Sequence, residues 1–147
     1  MRIFSVLVAI LFLSSCVTTD PKFTVPTQNS PLAENKSRVV VYRSLQESLS
    51  NDSMPVLDNG KEMGVLNVGE IGIYDTDPGY HEIYTDETGG KGRKAQVSMK
   101  PGETYYVKFT VYDDYLFRFI SAAFISDEIP EKDALRDMRV LREQAEN

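Results

Sequence analysis

Apolar and polar positions alternate along most of the chain after residue 37, and the alternation has the period of strands. Residues 38–43, "RVVVYR", form an unbroken β-branched and aromatic run and predict a first strand. Residues 54–66, "MPVLDNGKEMGVL", place Asn59-Gly60 between two short apolar runs. Both residues tolerate positive φ, so the segment predicts a tight hairpin. In "IGIYDTD" (71–77), Ile71, Ile73 and Asp75 alternate with Gly72 and Tyr74, the pattern of another strand. "YHEIYTD" and "AQVSM" flank the polar stretch "ETGGKGRK" (87–94) and predict a second hairpin. "ETYYVKFTVY" (103–112) is the longest strand pattern. Tyr105, Val107, Phe109 and Val111 share the better core face; Tyr106, Lys108, Thr110 and Tyr112 share the other.

Two strand starts carry the same phrase, Pro78-Gly79 and Pro101-Gly102. Proline fixes φ near −65° and glycine supplies positive φ, which suits the central positions of a type II turn. Both are therefore expected to be corners where the chain reverses at the sheet edge. Residues 116–126, "LFRFISAAFIS", admit either a last strand or a buried helical turn. From Pro130 onward the pattern becomes helical, with Glu131 and Asp133 favouring a helix N-terminus and Leu135, Met138 and Leu141 forming a narrow apolar stripe. The sum is a mainly β protein, a small antiparallel β-sandwich with a C-terminal α-helix, occupying residues 38–147.

The N-terminal region has a different grammar. Arg2 precedes an apolar run from Ile3 to Leu13 broken only by Ser5. That run is shorter than the roughly 20 apolar residues of a membrane span and has the length of a secretory signal core. It ends Leu13-Ser14-Ser15-Cys16, which resembles the lipobox of bacterial lipoproteins. The resemblance implies that residues 1–15 are a signal peptide and that Cys16, the sole cysteine, carries a thioether-linked diacylglycerol and an acylated amine after cleavage. Acyl chains contribute roughly 0.8 kcal/mol per buried CH₂ and anchor the chain to a membrane. In that family an aspartate after the cysteine retains the protein at the inner membrane. Val17 stands here, which implies an outer-membrane location facing the periplasm. Residues 16–37 are rich in Thr, Pro, Ser and Asn without an apolar period, and read as a flexible tether between lipid and domain.

Composition narrows the function classes. The formal charge is −6, and loss of Arg2 with the signal peptide makes the mature chain one unit more negative. A broad basic face for nucleic acid is not expected. "GGKG" is no phosphate loop, because no strand-loop-helix frame surrounds it. His81 is the sole histidine, and no partner for metal or proton chemistry is adjacent on its strand face. Asp75 and Asp77 form a D-x-D beside Pro78 but lack the further oxygens of a calcium loop. No catalytic residue, metal site or cofactor is expected. Seven aromatics crowd residues 105–119, and alternation exposes some of them if one face of the sheet is open.

Tyr42-Arg43, the Asn59-Gly60 turn, Gly64, and Pro101-Gly102-x-x-Tyr105-Tyr106, following a lipobox and short tether, resemble a bacterial lipoprotein family known as domain of unknown function 2846. The resemblance spans residues 38–141 and implies a fold and an envelope location, not an activity. The expected function is non-enzymatic: a lipid-anchored domain that binds or positions a protein partner at the membrane. The alternative is a module that binds cell-wall glycan through exposed Tyr106 and Tyr112.

Overall fold

The computed structural model describes Phe23 and residues 30–43, 53–85, 93–112 and 123–145. Eight strands and one helix succeed one another: β1 (Ser37–Arg43), β2 (Met54–Asp58), β3 (Lys61–Leu66), β4 (Ile71–Thr76), β5 (Gly79–Tyr84), β6 (Ala95–Met99), β7 (Thr104–Tyr112), β8 (Ala123–Ile129) and α1 (Glu131–Ala145). They form two four-stranded sheets, ordered β4-β1-β7-β8 and β3-β2-β5-β6. The mainly β sandwich with a C-terminal helix is thus the observed architecture. It is not purely antiparallel, because β1 and β7 run parallel, with Val39 opposite Tyr105 and Val41 opposite Val107.

The parallel pair explains the composition of β1. Parallel strands are usually covered on both faces and read as continuous apolar runs rather than alternations. Every residue of β1 is buried. Val39 and Val41 face the second sheet and pack in the main core with Val56, Ile83, Val97, Val107 and Phe109. Val40 and Tyr42 face the other way, into a second core with Ile73, Tyr106, Ala134, Met138 and Leu141 of the helix. Each fully buried valine contributes about 1.5–3 kcal/mol relative to exposure. The fold therefore has three layers: helix, first sheet, second sheet.

The helix buries Met138 and Leu141 of the expected stripe, but Ala134 takes the place of Leu135. Ala134, Met138 and Leu141 are buried, while Leu135 is 43% exposed. Ala134, Met138 and Leu141 stand at i, i+4 and i+7, and Leu135 is turned about 100° away from that line. Pro130 lies just outside the helix and its carbonyl accepts from the Asp133 and Ala134 amides at 2.9 and 3.0 Å. It ends the preceding strand and begins the helix in one residue.

The Asn59-Gly60 hairpin forms as expected, with φ of 50° and 82° at the two central residues, the signs a type I′ turn requires. The last apolar segment is a strand from Ala123; residues 116–122 lie outside the described residues, as does most of the "GGKGRK" loop. Both Pro-Gly phrases sit where the chain crosses between sheets. The first carries it from β4 to β5, the second from β6 to β7. This differs from the expected reversal at one sheet's edge.

Candidate functional site

The two corners lie at the same end of the sandwich, because Gly79 pairs with Met99 and the first residues of β1 reach both. Lys36 O accepts from the Gly102 amide at 2.8 Å, and the Ser37 hydroxyl donates to Lys100 O at 2.8 Å. Lys36 Nζ stands 2.7 Å from Asp77 Oδ1. Arg38 grips Asp75 with two bonds of 2.8 and 3.0 Å, and donates to Ser30 O at 2.7 Å. One tripeptide thus ties the ends of four strands together.

Pro101-Gly102 is a closed turn. Gly102 has φ of 82° and the Glu103 amide donates to Lys100 O at 3.3 Å, as expected for type II. Pro78-Gly79 is built differently. Gly79 is already the first residue of β5, at φ of 139°, far from the left-handed well near +57°. It is not a type II turn. The Asp77 carbonyl is instead taken by a side chain: His81 Nε2 lies 2.9 Å away. A carbonyl can only accept, so Nε2 carries the hydrogen and donates.

The other ring nitrogen faces inward. His81 Nδ1 lies 2.7 Å from Asp58 Oδ1, with one hydrogen between them. The Tyr74 hydroxyl donates to Asp58 Oδ2 at 3.3 Å. All three residues are buried, at 7% exposure for His81, 5% for Asp58 and 4% for Tyr74. Burial, and then the Asp58 carboxylate, push the Tyr74 hydroxyl well above its usual range, so it stays a donor. Asp58 caps the inward-facing side of β2 beyond Met54 and Val56, and β4, β2 and β5 each contribute one member. The arrangement superficially suggests acid–base chemistry. However, both imidazole nitrogens are engaged within the fold, and proton transfer requires a ring nitrogen within reach of substrate. The cluster is suited to holding the corner.

The other candidate residues are scattered. Asp75 is held by Arg38 and Asp77 by Lys36, so the D-x-D is used in cross-links between strands. The Lys36 hydrogen bond and charge hold the Asp77 carboxyl below the usual carboxylate range. Among the described residues no group of three or more His, Cys, Asp or Glu is placed to hold a metal. Tyr106 is not on an open face: α1 lies across it, leaving 5% exposure, and its hydroxyl donates to Glu131 at 3.3 Å. Burial, then Glu131, raise that hydroxyl's pKa. The expectation of an exposed Tyr106–Tyr112 pair fails at Tyr106, because the alternate face of β7 is the seat of the helix. The Tyr112 side chain and Cys16 lie outside the described residues. An open cleft of about 290 Å³ remains beside the helix start, between Thr104, Tyr105, Glu128 and Glu131.

Asp58 and Phe23 are the two structural residues that the sequence pattern does not single out. Asp58 stands at an inward position of a strand that otherwise alternates apolar-in, and that misplaced charge is the available signal. Phe23 is an aromatic in a polar segment, 9% exposed in the main core. Its signal is indirect: glycines at inward strand positions, which leave space for something else. No helix among the described residues is long and apolar enough to cross a membrane. No protein-family model, curated protein or solved structure matches the chain, so the lipoprotein resemblance rests on its motifs alone.

Proposed function

We propose that this chain is a lipid-anchored bacterial envelope lipoprotein that binds or positions a protein partner at the membrane without catalysing a reaction. The observation that carries the reading is Leu13-Ser14-Ser15-Cys16 at the end of a signal-length apolar run, with no other cysteine in the chain. Only a thiol can form the thioether. Val17 after the cysteine favours the outer membrane, facing the periplasm. A non-enzymatic role is supported by the Asp58–His81–Tyr74 cluster and the D-x-D, whose hydrogen bonds are spent within the fold. Cys16 is the lipidation site in this reading, and the sandwich is the part that meets the partner. With Tyr106 under the helix, the glycan alternative loses half of the tyrosine pair on which it stood.

Growth with labelled palmitate, followed by mass measurement of the mature chain, tests the anchor. The wild type should begin at Cys16 and carry the acyl mass, and Cys16→Ala should lose both label and cleavage. An unmodified mature chain beginning elsewhere would overturn the reading. Crosslinking in intact envelopes should then recover a protein in a discrete complex. Retention on purified peptidoglycan with no such complex would reverse the choice between partner and glycan.

A further inference from the structure

The two long seams between the sheets are closed in different ways. On one side β6 and β8 are joined by the chain itself: the Ser126 amide donates to Arg93 O at 2.9 Å, and Arg93 pairs with Asp127. On the other side β3 and β4 are edge strands, and each has a glycine pointing inward, Gly64 opposite Val56 and Gly72 opposite Val41. The ring of Phe23 fills the space these glycines leave. A Cβ on Gly64 would stand 2.7 Å from Phe23 Cγ and 2.8 Å from its backbone nitrogen. A Cβ on Gly72 would stand 2.6 Å from Phe23 Cε2. No real Cβ tolerates such distances, so both glycines are required for the ring to enter. The ring also lies nearly parallel to Tyr74, with centroids 6.4 Å apart.

We propose that the Gly64–Gly72 slot is a docking site for Phe23 of the same chain, and that the docked ring is a latch setting how far the domain stands from the membrane. The proposal rests on lipidation at Cys16. Phe23 is only seven residues beyond Cys16, whereas Ser30, whose carbonyl Arg38 holds, is fourteen residues beyond it. Extended chain spans at most about 3.5 Å per residue. With Phe23 docked the leash is therefore on the order of 25 Å; with it released the leash approaches roughly 50 Å. Burying one aromatic ring contributes about 1.5–3 kcal/mol and fixing the backbone of one residue costs about 1–2 kcal/mol, so the two are of similar size and the latch can open.

Proton NMR of the full-length chain in detergent micelles tests the docking. The Phe23 ring protons should show nuclear Overhauser contacts to the Gly64 and Gly72 α-protons, and Gly72→Val should abolish them. Their absence in the wild type would overturn the docking. Reach is read by energy transfer from a dye on the domain to labelled lipid headgroups. Phe23→Ala, which empties the slot, and Gly72→Val, which blocks it, should both lower the transfer. Unchanged transfer in Phe23→Ala with a native circular dichroism spectrum would overturn the latch. The mass of Cys16 in the same samples separates the two readings: an unmodified cysteine defeats the anchor, whereas the Phe23–glycine contacts still decide the docking.

Discussion

The two Pro-Gly corners begin from the same dipeptide and reach the same end of the sandwich by different physics. Pro101-Gly102 is held by its own backbone, with a left-handed glycine and a hydrogen bond closing the turn. Pro78-Gly79 has its glycine drawn into β5, and its preceding carbonyl is satisfied by His81, which is in turn fixed by Asp58 and Tyr74. The difference lies in the side chains just downstream of each glycine. Two residues after Gly79 stands a histidine that reaches back to the corner. Three residues after Gly102 stands Tyr105, whose hydroxyl accepts from the Lys100 amide at 2.9 Å and donates to Glu103 at 2.7 Å. A turn dipeptide permits a geometry; neighbouring side chains decide which one forms.

The largest expected effect comes from removing the buried partner. Asp58→Ala should destabilise the protein by about 3 kcal/mol or more, because it strands the buried His81 ring and Tyr74 hydroxyl together. Asp58→Asn keeps an acceptor and should recover part of the loss. Chemical denaturation measures both, and a loss below about 1 kcal/mol would show that the first corner does not depend on this cluster. Next come the two corner glycines. Neither would bring a Cβ within 4 Å of another atom, so substitution tests backbone conformation alone. Gly102→Ala should cost about 1 kcal/mol, because +82° is close to a region other residues visit. Gly79→Ala should cost more, about 2 kcal/mol, because +139° is far from that region. Equal costs would erase the distinction between the corners.

A smaller effect concerns the exposed Lys36–Asp77 pair that links the first corner to the start of β1. The Asp77 carboxyl is held below its unfolded value, so its contribution is present above about pH 4 and is lost as pH falls through the folded value. Lys36→Met should remove that acid-side loss, and added salt should mimic the variant. An acid limb unchanged in the variant would contradict this assignment. The smallest expected effect is none: micromolar calcium or zinc should leave the melting temperature unchanged, since Asp75 and Asp77 are engaged by Arg38 and Lys36. A rise of several degrees would reopen the D-x-D as a metal site.

Much of this architecture is legible in the sequence because it is local. Asn59-Gly60 specifies its hairpin by conformational preference alone, and Pro101-Gly102 specifies a turn in the same way. The apolar run in β1 already indicates burial on both faces. Other features depend on partners distant in sequence. Nothing within β7 distinguishes a face open to solvent from one covered by a helix, so the burial of Tyr106 is invisible to alternation. Ala134 rather than Leu135 faces the sheet because the sheet, rather than hydrophobicity, selects the stripe. The Asp58–His81 bond joins residues twenty-three apart across two strands, and no period in the chain records it. Phe23 fills a gap made by two glycines that, in the sequence, resemble ordinary strand weak points.

His81 is a structural brace between Asp58 and the Asp77 carbonyl. As the sole histidine, its ring gives one unambiguous set of nitrogen resonances. Nε2 should carry a slowly exchanging proton with a scalar coupling across the hydrogen bond to the Asp77 carbonyl carbon, lost in Asp58→Ala. A ring whose Nε2 lacks a proton, or exchanges it freely with water, would show that no such brace exists.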